Sequence, residues 1–203
     1  MRWPSRAAIA LGGILSLVPE SATAHTAFLG MGSFWAGVMH PLTAFDETAF
    51  ILGLAIWAGL QGRRHDIGVV GAAFAGCLCG ALVIGWSGHA GPGLAATAGL
   101  MIAVGLAGSV RLATGTLVLA GVAAVGGAVL GGASADGSAG ASLPLFAVGA
   151  ATATASLLSY GLIAVARARA AWMQIGWRAG ASWIAAIGLM STALEGVRLF
   201  GHP

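Results

Sequence analysis

Charged side chains are scarce in this sequence. Asp, Glu, Lys and Arg make up 7% of its 203 residues, against about 25% in an average globular domain. So little polar material cannot coat a water-facing surface, which excludes a soluble fold and a soluble catalytic domain. Lysine is missing altogether, so all nine cations are arginine. They are scattered rather than gathered into a basic stripe with interleaved aromatics, which excludes nucleic acid as a partner despite a pI near 9.7. No ATP-binding glycine loop occurs. Cysteine is limited to Cys77 and Cys79. Two residues apart on a helix, they point roughly 200° away from each other, which argues for packing rather than a disulfide.

What is abundant is apolar and small. Hydrophobic residues reach 58%, mean hydropathy is +0.92, and glycine supplies 34 positions, more than twice its usual share of about 7%. Long apolar runs that pack through small residues describe an all-α integral membrane protein. Residues 1–6 carry Arg2 and Arg6, residues 7–18 are apolar, and residues 19–24 end in Ala22-Thr23-Ala24. This is the pattern of a cleaved signal peptide, with a mature chain starting at His25. The alternative is an uncleaved first helix.

Six apolar segments follow, at about residues 41–60, 67–86, 93–110, 112–131, 143–166 and 180–200. Each is near the roughly 20 residues a helix needs to cross the hydrocarbon core. Residues 27–39 are apolar but too short to span, and read as an interfacial or re-entrant half-helix leading into a break at His40-Pro41. With His25 outside the cytoplasm, Arg63, Arg64, Arg111, Arg167, Arg169 and Arg178 fall on the cytoplasmic side and Arg198 alone falls near the other. That bias supports six spans with both mature ends outside the cytoplasm. Residues 133–142, rich in Gly, Ser and Ala, read as an external flexible loop.

Ionisable groups at membrane depth are functional candidates because they are costly there. Pro41 suits the first turn of a helix, which would place Asp46 and Glu47 roughly 8–9 Å below its outer end. On a continuous helix the seven residues from His40 to Glu47 amount to about 700°, so the two would share a face, with Asp46 about 100° aside. The topology puts His25, His40, Asp46, Glu47, His89 and Glu195 all on the outer half. Imidazole and carboxylate together are ligands for divalent metals such as Ni²⁺, Co²⁺ or Zn²⁺. The competing reading gives Asp46 and Glu47 to the new helix N-terminus and Glu195 to its neighbour Arg198.

The stretch from His40 to Glu47, His-Pro-Leu-Thr-Ala-Phe-Asp-Glu, resembles the HupE/UreJ family of hydrogenase- and urease-accessory membrane proteins. Gly37-Val38-Met39 precedes it and Gly53-Leu54-Ala55-Ile56-Trp57-Ala58 follows. The family carries His-Pro-Leu-x-Gly-x-Asp-His after a cleaved leader whose product often begins at histidine. The resemblance implies a nickel, sometimes cobalt, permease of about six spans with no prosthetic group, serving hydrogenase or urease maturation. It carries over His40 and Asp46 as site residues. Ala44 stands where the family has Gly, and Glu47 where it has the second histidine. A later family motif, His-Gly-x-x-His-Gly-x-Glu, should fall near residues 126–137, where this chain has no histidine. Glutamate for histidine exchanges a neutral nitrogen donor for an anionic oxygen, which tolerates harder ions.

Two other functions compete. Gly85-Trp86-Ser87-Gly88 resembles the Gly-x-Ser-Gly of rhomboid proteases, a chemistry that needs a histidine within reach of the serine, and after His89 only His202 follows. The second is a non-transporting membrane scaffold or accessory protein whose polar groups serve packing. Gly76-x-x-x-Gly80 and Gly127-x-x-x-Gly131 fit close helix contact, within one chain or in a homo-oligomer.

Overall fold

A computed structural model describes residues 32–63, 66–138 and 142–200, the side chains of the last three excepted. The leader, His25, His65 and His202 lie outside the described residues. Those described form helices and connections, with no strand among them. In chain order they are α1 (Ser33–Thr43), α2 (Phe45–Gly59), α3 (Ile67–Ser87), α4 (Leu94–Ser109), α5 (Thr116–Ser134), a 3-10 turn (Ala135–Ser138), α6 (Leu143–Arg167) and α7 (Ala171–Phe200).

Helix α2 forms the centre. Phe50, Leu54, Ala55, Ile56 and Ala58 are buried along it, and α4, α6 and α7 pack around it. The outer surface is apolar as well: Trp86, Trp172 and Trp183 are 70%, 74% and 70% exposed. Such a surface is stable only against lipid, so the chain is a multi-pass membrane protein. Helices α3, α6, α7 and α5 with its 3-10 turn are each long and apolar enough to cross a bilayer, and the bent pair α1–α2 makes a fifth candidate. Helix α4, with 16 residues, reaches only about 24 Å against a core of about 30 Å.

Small residues set the closest contacts. Gly76 and Gly80 of α3 lie against the backbone of Ala124 and Ala128 of α5, while Gly127 and Gly131 of α5 lie against Ala73 and Cys77 of α3. A methyl group at any of the four would collide with backbone. Both Gly-x-x-x-Gly patterns therefore serve this contact within the chain. Cys77 is buried and Cys79 exposed, and both are free thiols.

Three expectations from the sequence are corrected. The first helix does not start at Pro41: Pro41 lies inside α1, and the chain breaks three residues later at Ala44, with φ −80° and ψ 101°. Residues 133–138 are not a flexible loop, because α5 runs to Ser134 and the 3-10 turn carries on to Ser138, packed against α1, α3 and α6; residues 139–141 lie outside the described residues. The connection between residues 167 and 178 is mostly helix, since α7 begins at Ala171, and Met173, Gln174 and Arg178 are good helix formers.

The two ends of the bundle differ. At one end Arg63 donates to the carbonyl of Thr114 at 2.9 Å and to the Thr116 hydroxyl, and pairs with Asp66 at 3.3 Å. Arg111, in a left-handed turn with φ 53°, donates to the carbonyl of Leu60 and to Gln174 Oε1, both at 3.3 Å. Arg178 Nε donates to the carbonyl of Ser109 at 2.8 Å. Arg167, the last residue of α6, and Arg169, in the α6–α7 connection, lie at this same end. The carboxylates Asp46, Glu47 and Asp136 lie at the other end.

Candidate metal-ion cleft at a broken helix

The site is built on the break between α1 and α2. Pro41 has no N–H and removes one helical bond near the end of α1. Hydroxyls also bond the carbonyls at the end of α1, where the His40 carbonyl accepts from the N–H of Ala44 as well. Thr43 Oγ1 lies 3.1 Å from the carbonyl of Met39 and 3.0 Å from that of His40, and the Thr48 hydroxyl donates to the carbonyl of Pro41. The backbone turns by 72°. A helix C-terminus bearing His40 thus meets a helix N-terminus bearing Asp46 and Glu47. Both placements suit the helix dipoles, which favour a cation at a C-terminus and anions at an N-terminus.

Across the bend His40 Nε2 stands 3.8 Å from Glu47 Oε1. The two do not share a face of one continuous helix, as the spacing predicts; the bend brings them together. Nor are Asp46 and Glu47 set below the end of a straight span, because they occupy the first turn of α2. Glu47 is 3% exposed. Its Oε1 lies 3.1 Å from the hydroxyl of Ser134, which itself lies 2.8 Å from the carbonyl of Leu130. The imidazole of His40 packs against Phe146, with ring centroids 5.9 Å apart, and Gly137 also lies close to the ring.

Above this pair opens a cleft of about 620 Å³. His40, Asp46 and Glu47 line it with Pro92 and Thr97 from the neighbourhood of α4 and Asp136 from the 3-10 turn. Three of the chain's six acids face one opening, at the end away from Arg63, Arg111 and Arg178. Among the described residues no three His, Cys, Asp or Glu side chains gather tightly enough to hold a metal ion. The candidate ligands therefore meet as one close pair with two wall carboxylates rather than as a closed shell. Carboxylate oxygens with a single imidazole suit divalent cations from the borderline to the hard.

Ser134, Asp136 and Thr97 were not legible as site residues, because the first two sit in a stretch whose composition reads as a loop. Two signals pointed there: Asp136 is one of six acids, and the resemblance places its second motif near residues 126–137. A model of the HupE / UreJ protein family matches residues 13–193. The chain belongs to the HupE/UreJ family. No curated protein and no solved structure matches it.

For this HupE/UreJ protein, the remaining candidates are spread more widely. His89 is exposed in the α3–α4 connection at the cleft end, but Pro92, not His89, forms the wall. Glu195 is half-buried near the cleft end of α7 and is not among the lining residues. His25 lies outside the described residues. The Ser87 hydroxyl donates to the carbonyl of Ile84 at 2.9 Å, and the group of His89 that reaches it is the backbone N–H, at 3.3 Å.

Proposed function

We propose that this HupE/UreJ protein carries a divalent transition-metal ion, Ni²⁺ first and Co²⁺ second, inward across the bacterial inner membrane. The family is associated with nickel- and cobalt-transport-related accessory functions. One observation carries the reading to this chain: the cleft at the broken helix, where His40, Asp46, Glu47 and Asp136 converge at the end opposite Arg63, Arg111 and Arg178. Arginine-rich ends face the cytoplasm, so the cleft opens to the periplasm, where the mature termini also lie.

The order of events follows from exposure. His25, if it begins the mature chain, and His89 meet the ion in solution. Asp46 and Asp136 draw it into the cleft, because carboxylates around a concave opening concentrate cations. His40 and Glu47 then replace part of its water. The driving force is the membrane potential, which favours inward movement of positive charge by about 2.3 kcal/mol per elementary charge per 100 mV, together with removal of metal by hydrogenase or urease maturation partners.

Uptake of radiolabelled Ni²⁺ by metal-starved cells tests the assignment. Cells making the parent chain accumulate nickel, and a His40→Ala, Asp46→Asn double variant of equal abundance does not. Equal uptake by both removes the site from the path. A second reading, a non-transporting accessory protein, is favoured by one observation: Glu47 already has protein partners in Ser134 and His40. In that case the double variant lowers abundance instead of flux.

A further inference from the structure

A second concavity lies on the outside of the bundle, between α3 and α6. It encloses about 640 Å³, and its walls include Ile67, Gly71 and Phe74 of α3 with Ala155, Ser159 and Ile163 of α6. A shallower depression shares Phe74, Ala155, Ser159 and Ile163 and carries the groove on to Thr152. From Thr152 to Ile163 the groove follows α6 for eleven residues, about 16 Å. Half of a hydrocarbon core of about 30 Å is about 15 Å, so the groove is one leaflet deep.

The groove runs toward the arginine-bearing end. Arg167 follows Ile163 by four residues, on the same stripe of α6, and is exposed. The described arginine side chains divide into two sets. Arg63, Arg111 and Arg178 are engaged by protein groups, whereas Arg167 and Arg169, both exposed, have no hydrogen bond or ion pair among the described residues. Asp66, at the same end of the groove, is neutralised by Arg63 and caps α3 by accepting from the N–H of Val69 at 3.2 Å. Arg167, one turn beyond Ile163, and Arg169, two residues further on, therefore set unmatched positive charge next to the mouth of the groove, at the level of the lipid headgroups.

We propose that the α3–α6 groove seats one acyl chain of an anionic phospholipid whose phosphate is held by Arg167 and Arg169. The apolar walls take the chain, the depth matches one leaflet, and the two arginines select the headgroup. An anionic lipid on the arginine-bearing side also agrees with the negative surface of the cytoplasmic leaflet. Gly71 keeps the groove open: a Cβ placed there meets no atom within 4 Å, so a larger side chain would occupy the lipid's space without disturbing the fold.

Native mass spectrometry of the full chain, released from membranes mixed from palmitoyl-oleoyl phosphatidylglycerol and the matching phosphatidylcholine, tests this. The parent retains phosphatidylglycerol in preference to phosphatidylcholine. Arg167→Gln lowers that preference about fivefold, as expected for roughly one headgroup contact per arginine, and Gly71→Leu lowers retention of both lipids with the thermal midpoint unchanged. Equal retention of the two lipids by the parent overturns the proposal, as does retention indifferent to both substitutions. A dimer that Gly71→Leu dissociates overturns it too, by making a second copy the occupant.

Discussion

Ser134→Ala deletes one hydroxyl from beneath the cleft and changes little else in size. That hydroxyl lies 3.1 Å from Oε1 of Glu47, on a side chain 3% exposed. Hydrogen bonds between membrane helices average about 0.6 kcal/mol and reach about 1.7. Bonds to charged groups in folded proteins contribute about 1.5–3 kcal/mol. His40, at 3.8 Å, stays as a second partner of Glu47, which keeps the loss toward the lower range. A coupling of about 1 kcal/mol follows, or roughly fivefold in the unfolding equilibrium. The assay is a double-mutant cycle of Ser134→Ala and Glu47→Met in mixed micelles, followed by tryptophan fluorescence, methionine being chosen because it matches glutamate in length without accepting strongly. If the two changes add to within about 0.3 kcal/mol, Ser134 does not hold Glu47, and the inner wall of the cleft is wrongly drawn.

Three further predictions concern packing and charge. Gly131→Ala puts a methyl group onto the carbonyl of Cys77 and lowers stability by about 1–3 kcal/mol, whereas Gly121→Ala, with nothing within 4 Å, raises it by up to about 1 kcal/mol; thermal unfolding in detergent compares them. Trp57→Phe removes the 2.7 Å bond from Nε1 to the carbonyl of Leu112, costs about 1 kcal/mol, and speeds amide exchange in the turn before α5. Asp136→Asn removes one wall carboxylate and raises the Ni²⁺ concentration for half-maximal uptake about fivefold, as for a charge contact of roughly 1 kcal/mol in water-like surroundings, with abundance unchanged on an immunoblot.

The helices were legible because apolar runs of span length leave few alternatives. Close helix contact through Gly76, Gly80, Gly127 and Gly131 was legible from their spacing, but not that the two patterns meet each other within one chain. The cleft was legible in part. His40, Asp46 and Glu47 stand out as rare polar groups in an apolar run, but their geometry depends on where the helix breaks. Pro41 drew the break to itself, although proline is also tolerated inside membrane helices, and here α1 runs on through Thr43 before the chain breaks at Ala44. Asp136 was hidden for a different reason. Its Gly, Ser and Ala neighbours have the composition of a loop, and only packing against α1, α3 and α6 makes them a helical end.

If the broken-helix cleft passes a divalent cation, the purified chain alone carries flux across a bilayer. The protein is reconstituted into liposomes loaded with a metal-sensitive dye, with Ni²⁺ added outside and an inside-negative potential imposed. Ni²⁺ influx then exceeds that of protein-free vesicles, Co²⁺ competes, and influx is lost in Asp46→Asn with equal incorporation. Influx no faster than in protein-free vesicles, with the chain fully inserted, would contradict passage through the cleft.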